Sequence, residues 1–212
     1  NSNSLIFYQN NENLAYLNYL QAIASQMSQV TDMVHQDWIA TRDAFVSSSE
    51  NTATSSLNML TNDFIYYFEK GLRTNKFGIP AGVFSANNTR SANVEAYYNT
   101  TQSKVLSLEA LVAVEGFFKG KAYNSTAIGA SLKSYLDYMT ENSTISTAII
   151  TKFTDSEQLI NMLDDNFSFQ VTSNNNLMVD VFNKLQEGVV LLKTDMLSAL
   201  SISVDYIDAD GD

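Results

Sequence analysis

Residues 12–47 read ENLAYLNYLQAIASQMSQVTDMVHQDWIATRDAFVS, and this stretch decides the fold class. Apolar side chains recur in it at steps of three and four, with one turn skipped. They are Leu14, Leu17, Leu20, Ala24, Met27, Val34 and Trp38. Such spacing lines up side chains on one face of a helix that turns every 3.6 residues. We therefore predict a long helix over residues 12–47, which the serines at 47–49 end.

The same periodicity continues along the chain and predicts further helices over residues 51–74, 100–118, 127–139, 143–163 and 176–200. Gly120 is the expected stop of the 100–118 helix. The expected inward faces are Leu57, Leu60, Phe64, Phe68 and Leu72; Val105, Leu108, Val112 and Phe118; Ile145, Ile149, Phe153, Ile160 and Leu163; and Leu177, Val181, Leu185, Leu192 and Met196.

Composition supports the same fold class. The 212 residues contain one proline and eight glycines, whereas a β-protein of this length needs many tight turns built from those residues. We predict an all-α fold, an antiparallel helical bundle of four long helices with short accessory helices. Residues 1–212 are expected to form a single domain. The alternating end, residues 201–207, reads as a short extended segment.

Glycine and the only proline concentrate in Lys76-Phe77-Gly78-Ile79-Pro80-Ala81-Gly82, which predicts a structured loop. Because loops held on rigid helices often carry binding groups, this segment and the following polar residues are the candidate cleft. Its predicted members are Lys76, Gly78, Pro80, Glu95 and Ser103. The alternative is that the loop only crosses the bundle end and that Glu95 caps the next helix.

Charge and length exclude several kinds of partner. The net charge of −11 argues against nucleic acid and against anionic membranes, which repel an acidic chain. No apolar run reaches the roughly 18–20 residues of a transmembrane helix. Cysteine is absent, which excludes disulfides and thiolate metal sites. The chain starts at Asn1 without methionine or a signal peptide, so we expect a processed or truncated product.

Few residues suggest catalysis or metal binding. His35 is the only histidine, whereas zinc peptidase motifs need two on one helical face. The terminal Asp208-x-Asp210-Gly211-Asp212 has its glycine at the wrong position for a calcium loop. No phosphate-binding glycine loop or Gly-x-Ser-x-Gly elbow occurs. The sequence therefore predicts neither catalytic nor metal-ligating residues in this chain.

Four segments carry a family resemblance, in this order along the chain: Tyr16-Leu17-x-x-Leu20 leading to Trp38; Lys76-Phe77-Gly78-Ile79-Pro80-Ala81-Gly82; Val94-Glu95-Ala96-Tyr97-Tyr98-Asn99 with Gln102-Ser103 and Glu115-Gly116-Phe117-Phe118-x-Gly120; and Leu200-Ser201-Ile202-Ser203-Val204 with the closing Asp210-Gly211-Asp212. Together they resemble the carboxy-terminal half of the imelysin-like family, the iron-regulated, M75 peptidase-like proteins. The family's Gly-x-His-x-x-Glu motif is absent from this chain.

The resemblance implies a two-domain helical protein of the bacterial periplasm or outer cell envelope, a lipoprotein anchored through a removed N-terminus, linked to iron uptake. It implies that a missing N-terminal half is the partner and that iron, haem or a peptide binds at the cleft between the halves. The cofactor stays open, with iron or another divalent metal as the candidate in the full-length protein. Lacking the family motif, this chain is predicted to be inactive alone. The alternative function is a non-catalytic helical interaction or scaffold module.

Overall fold

A computed structural model of the chain describes residues 13–205. The chain divides into two units, residues 1–49 and residues 50–212. Helices account for 74% of the structure, and the described residues contain no β-strand. The prediction of an all-α helical bundle is therefore confirmed. The extension of a single domain over residues 1–212 stays a prediction.

The first unit contains one helix, α1, over Leu14–Ser47. At 1.5 Å per residue, its 34 residues span about 51 Å. The hydroxyls of Thr31 and Thr41 each donate to the carbonyl four residues earlier, over 2.8 Å. The predicted helix is thus confirmed, but no side chain of α1 is buried.

The second unit is the helical bundle. Its helices are α2 (Ser56–Tyr66, continued by a π-helical segment Tyr67–Gly78 and the turn Ile79–Ala81), α3 (Gln102–Lys119), α4 (Leu132–Thr140), α5 (Thr144–Met162), α6 (Phe167–Ser173) and α7 (Asn175–Val190, continued by a π-helical segment Leu191–Met196 and the turn Leu197–Leu200). A short 3₁₀ turn lies at Ser91–Asn93.

The core lies where α2, α3, α5 and α7 meet. Phe153 of α5 packs edge-on against Phe68 of α2 and Phe118 of α3, with ring centroids 5.4 and 5.9 Å apart. Gly188 of α7 admits Phe68, since a Cβ at position 188 would lie 3.1 Å from that ring. The aromatic rings thus join the four long helices of the bundle into one core.

The inward faces predicted for α5 and α7 are confirmed, whereas those of α2 and α3 need correction. In α3, Val105 and Val112 are exposed, and the buried positions include Ser103, Ser107 and Ala110. Small residues face inward because the bundle approaches this side of α3 closely, and the larger valines turn outward. Leu60 of α2 is likewise 37% exposed.

The predicted loop at residues 76–82 is wrong, because α2 continues through it to Ala81. The turn before the proline has the wider π register: the amide of Ile79 donates to the carbonyl of Thr74, five residues back. Pro80 lacks a donor and would clash in an α-helical interior, but here it follows a π-helical segment and lies in the last turn. Gly82, with φ of +79°, ends the helix.

The end of the described chain is fastened to α2 by Asn62, a buried residue. Its amide nitrogen donates to the carbonyl of Ser203 over 3.1 Å, and its side-chain oxygen accepts from the amide of Asp205. Residues 202–205 have no strand partner among the described residues. The acidic end, Asp208 to Asp212, lies outside the described residues.

Candidate functional site

Three of the five predicted cleft residues meet in the structure. Lys76, on the π-helical segment of α2, donates through Nζ to the carboxylate of Glu95. Ser103, in the first turn of α3, donates to the backbone carbonyl of Glu95 over 2.6 Å. The segment between α2 and α3 is therefore pinned at Glu95 from both helices.

The contacts in this cluster hold the segment between α2 and α3 in place. Ser103 is buried, and only 10% of the Lys76 side chain is exposed, so their polar atoms are occupied by Glu95. The carboxylate of Glu95 is the accessible part, with 43% of its side chain exposed. A ligand approaching this point would meet an acceptor whose charge Lys76 already neutralises.

The other two predicted cleft residues, Gly78 and Pro80, contribute to packing and to the course of the chain. A Cβ on Gly78 would lie 2.6 Å from Cε2 of Phe84 and 2.8 Å from Cε2 of Phe182. These two rings pack edge to face with centroids 5.6 Å apart, and a glycine is needed beneath them. Pro80 is buried, and its carbonyl accepts from the amide of Arg90 over 2.8 Å.

Sequence reasoning missed a cluster of charges within the bundle core. Glu69 and Arg73 of α2 are both buried, with Arg73 Nη2 lying 3.3 Å from Glu69 Oε1. Lys193 of α7 places Nζ 2.9 Å from Glu69 Oε2. Arg73 also stacks over the ring of Phe182, 4.6 Å from its centroid. The sequence contained one sign of this cluster: Glu69 and Arg73 are four residues apart, the spacing of an ion pair on one helix.

Glu69, Arg73 and Lys193 all lie on π-helical segments. Glu69 and Arg73 lie on the π-helical segment of α2, and Lys193 lies on that of α7. π-Helical turns are rare and frequently occur at functional sites. In this bundle they bring one carboxylate and two cations together in the core, which makes them a structural cross-link between α2 and α7.

No arrangement suited to a metal ion emerges from residues 13–205, where no three His, Cys, Asp or Glu side chains come together. His35 lies exposed on α1. The tail carboxylates Asp208, Asp210 and Asp212 fall in the part of the chain that the structure does not describe. Nor does any described helix have the length and apolar character needed to cross a bilayer.

An apolar groove lies on the bundle surface between α2 and α3, with a volume of about 310 Å³. Its apolar wall includes Leu60, Phe64, Tyr67 and Phe117, and Asp63 is the one charged residue in it. The rings of Phe64 and Phe117 stack with centroids 5.3 Å apart. This surface suits an apolar side chain of a partner better than a polar metabolite.

An exposed apolar surface also lies along α1. Met27 is 66% exposed and Val34 is 65% exposed, and Trp38 shares the same stripe. Trp38 packs edge-on against Phe45, two turns further on, with centroids 5.3 Å apart. The stripe that the sequence predicts thus exists as a surface, and on α1 it faces solvent.

Comparisons with known proteins identify no relative: no family model matches the chain, and neither do the curated proteins or the solved structures.

Proposed function

We propose that this chain is a non-catalytic helical interaction module whose contact surface is the apolar stripe of α1. The observation that carries the proposal is that α1, a helix of 34 residues, has no buried side chain. An amphipathic helix ordinarily buries its apolar face, and a large exposed apolar surface marks a site of protein association.

The composition of α1 strengthens this argument. Isolated helices are marginal in water, and most helical stability comes from packing of an apolar face. The charged residues of α1 give it little help, since its ion pair joins the neighbours Arg42 and Asp43, both strongly exposed. Packing of the stripe against another apolar surface is therefore the expected main source of stability for α1.

The bundle supports a scaffold role rather than a catalytic one. Lys76 and Ser103 are both engaged by Glu95, and Glu69 joins Arg73 and Lys193 in the core. A catalytic site instead needs a nucleophile or acid–base pair that a substrate can reach. The polar groups of the bundle act on one another and hold its helices together.

Site-specific photo-cross-linking in the host cell tests the proposal. A photoreactive amino acid replaces Met27, which lies in the stripe, and in a matched chain it replaces Gln36, which lies nine residues further on and therefore on the opposite side of the helix. We expect a discrete adduct of fixed mass from position 27 and none from position 36. Equal labelling at both positions, or no adduct at either, would contradict an interaction surface on this stripe.

A second candidate function is that of an imelysin-like envelope protein, which would use the Lys76–Glu95–Ser103 cluster at a cleft with a further domain. The observation that favours it is that residues from two separate motifs of the resemblance come together at Glu95. Replacing Glu95 with Gln tests it: weaker binding of Fe³⁺ or haem by the full-length protein, at a temperature where circular dichroism shows the variant to be folded, would support this function.

A further inference from the structure

A second cavity of the bundle, with a volume of about 490 Å³, lies between α3 and the return loop that follows it, residues 121–125. This volume falls within the roughly 300–1,000 Å³ of small-molecule sites. One wall of the cavity is a single face of α3, because its members recur at steps of three and four residues. They are Glu109, Val112, Ala113, Gly116 and Phe117.

The backbone holds the return loop against this face. Gly120, with φ of +72°, ends α3, and the amide of Lys121 then donates to the carbonyl of Gly116 over 2.8 Å. The amide of Ala122 donates to the carbonyl of Ala127 over 3.0 Å and closes the loop. Lys121 is thereby fixed beside Gly116, and a Cβ on Gly116 would still lie 3.9 Å from that of Lys121. The glycine thus leaves this part of the cavity open.

Two opposite charges line the cavity. Glu109 lies seven residues before Gly116, which corresponds to about 10 Å along the axis of α3, and Lys121 lies at the level of Gly116. Both side chains are exposed, and neither forms an ion pair with any described residue. A carboxylate and an ammonium group that are separated in this way complement a ligand with one charge of each sign at its two ends.

The surface between the two charges has an apolar wall and a polar rim. Val112 and Phe117 are both partly exposed and offer a contact for one apolar side chain of a ligand. Asn124, in the return loop, makes no side-chain hydrogen bond within the described part of the chain. A side-chain amide supplies a donor and an acceptor together, which is the complement of a peptide group.

We propose that this cavity binds a short peptide of about three residues, with its free amino group at Glu109 and its carboxylate at Lys121. Three extended residues span about 10 Å, which matches the separation of the two charges along α3. The central side chain packs on Val112 and Phe117, and Asn124 pairs with a peptide group. The site belongs to the bundle and does not involve α1, so it goes beyond the function proposed above.

The charges of the cavity disfavour other classes of small ligand. A phosphate ester or a dicarboxylate would bring a negative charge to Glu109, and a diamine would bring a positive charge to Lys121, and like charges repel. A free amino acid carries its two charges on neighbouring atoms, too close together to reach both residues. A short peptide satisfies both the signs of the charges and their separation.

Amide chemical shifts of the ¹⁵N-labelled chain, titrated with Ala-Leu-Ala, test the site. We expect saturable shifts confined to residues 109–125, with a dissociation constant of about 1 mM or lower. N-acetyl-Ala-Leu-Ala and Ala-Leu-Ala amide each lack one terminal charge. Each should bind at least about 10-fold more weakly, since a hydrogen bond to a charged group contributes that much. Equal binding of the blocked peptides, or no shift at millimolar peptide, would overturn the proposal.

Charge reversal tests the two residues themselves. Glu109→Lys and Lys121→Glu should each weaken binding of Ala-Leu-Ala by about 10-fold or more, because one end of the peptide then meets a like charge. The double variant should restore binding, since the peptide can turn end for end. Glu157→Lys reverses an exposed carboxylate on α5, outside the cavity, and should bind like the wild type. Single reversals that bind as tightly as Glu157→Lys would overturn the assignment.

Gly116→Leu tests the location, because it puts a side chain into the cavity. We expect this variant to lose the shifts while its far-ultraviolet circular dichroism shows the helix content of the wild type. Undiminished binding by the folded variant would place the peptide elsewhere on the protein and would overturn the site.

Discussion

Lys193 of α7 reaches Glu69 of α2 inside the bundle, with Nζ 2.9 Å from Oε2 and the Glu69 side chain fully buried. Each residue lies on a π-helical segment, and Arg73 contacts the second oxygen of the same carboxylate. One buried carboxylate thus contacts two cations from two helices. Stability should depend on it far more than on any surface ion pair.

Replacing Glu69 with Gln should lower the free energy of unfolding by about 3–5 kcal/mol, because it removes a buried carboxylate that contacts both Arg73 and Lys193. Urea denaturation followed by circular dichroism measures the change. Glu187→Gln is the matched control, since Glu187 pairs with two lysines at the surface, and it should change the free energy much less. Equal effects of the two substitutions would contradict a structural role for the core cluster.

Stability should fall in acid partly through Asp137. Burial alone would raise the pKa of this carboxyl, but hydrogen bonds from Lys133 and Ser146 outweigh it and hold the pKa below its ordinary value. A lowered folded-state pKa stabilises the protein above the unfolded value of about 3.9, and that stability disappears as the pH falls through the folded-state pKa. Asp137→Asn should remove this contribution.

Urea midpoints between pH 6 and pH 2.5 test this expectation. The difference in stability between the wild type and Asp137→Asn should be largest near pH 6 and should shrink below about pH 4. A difference that stays constant across the range would show that ionisation of Asp137 contributes nothing.

Two glycines in helices should respond in opposite directions to alanine. Gly78→Ala puts a methyl group 2.6 Å from Phe84 and 2.8 Å from Phe182, and such overpacking costs about 1–3 kcal/mol. Gly116 of α3 has room, with the nearest atom, Cβ of Lys121, 3.9 Å away. Gly116→Ala should raise stability by about 0.5–1 kcal/mol, because alanine restricts the unfolded chain and favours helix. Thermal unfolding of both variants measures the two signs, and a stabilised Gly78→Ala would contradict the close packing.

The Lys76–Glu95 pair should be energetically coupled. A double-mutant cycle with Lys76→Met and Glu95→Gln should give a coupling energy of about 1 kcal/mol, since Lys76 is largely buried and Glu95 only partly so. Amide hydrogen exchange should also show faster exchange over residues 82–101 in Lys76→Met. Additive effects, with exchange unchanged, would mean that the pair does not hold this segment.

Apolar periodicity predicted the bundle helices well where each has one buried stripe. α5 and α7 begin and end within one residue of their predicted limits, because Ile149, Phe153 and Leu185 repeat the helical spacing. α6 was not predicted, since at seven residues it is too short to show a period.

The other differences between the predicted and the observed structure have local causes. The sequence predicted a loop at Gly78 and Pro80, because glycine and proline usually interrupt an α-helix. The turn that precedes Pro80 has a π register instead, and the helix continues through it. The burial of Glu69 and Arg73 was not predicted, because charged residues are rarely buried unless paired, and Lys193, which contacts Glu69, is distant in the sequence. Lys76 and Ser103 both contact Glu95 and hold the segment between the two helices, whereas the cleft predicted for these residues stays a prediction.

The position of Trp38 has a practical consequence. It is the only tryptophan of the 212 residues, and it lies on α1, whereas the aromatic residues of the bundle are phenylalanine and tyrosine. Excitation at the red edge of the indole band therefore reports on α1 alone. Melting, assembly and ligand effects on this helix can thus be followed without adding a dye.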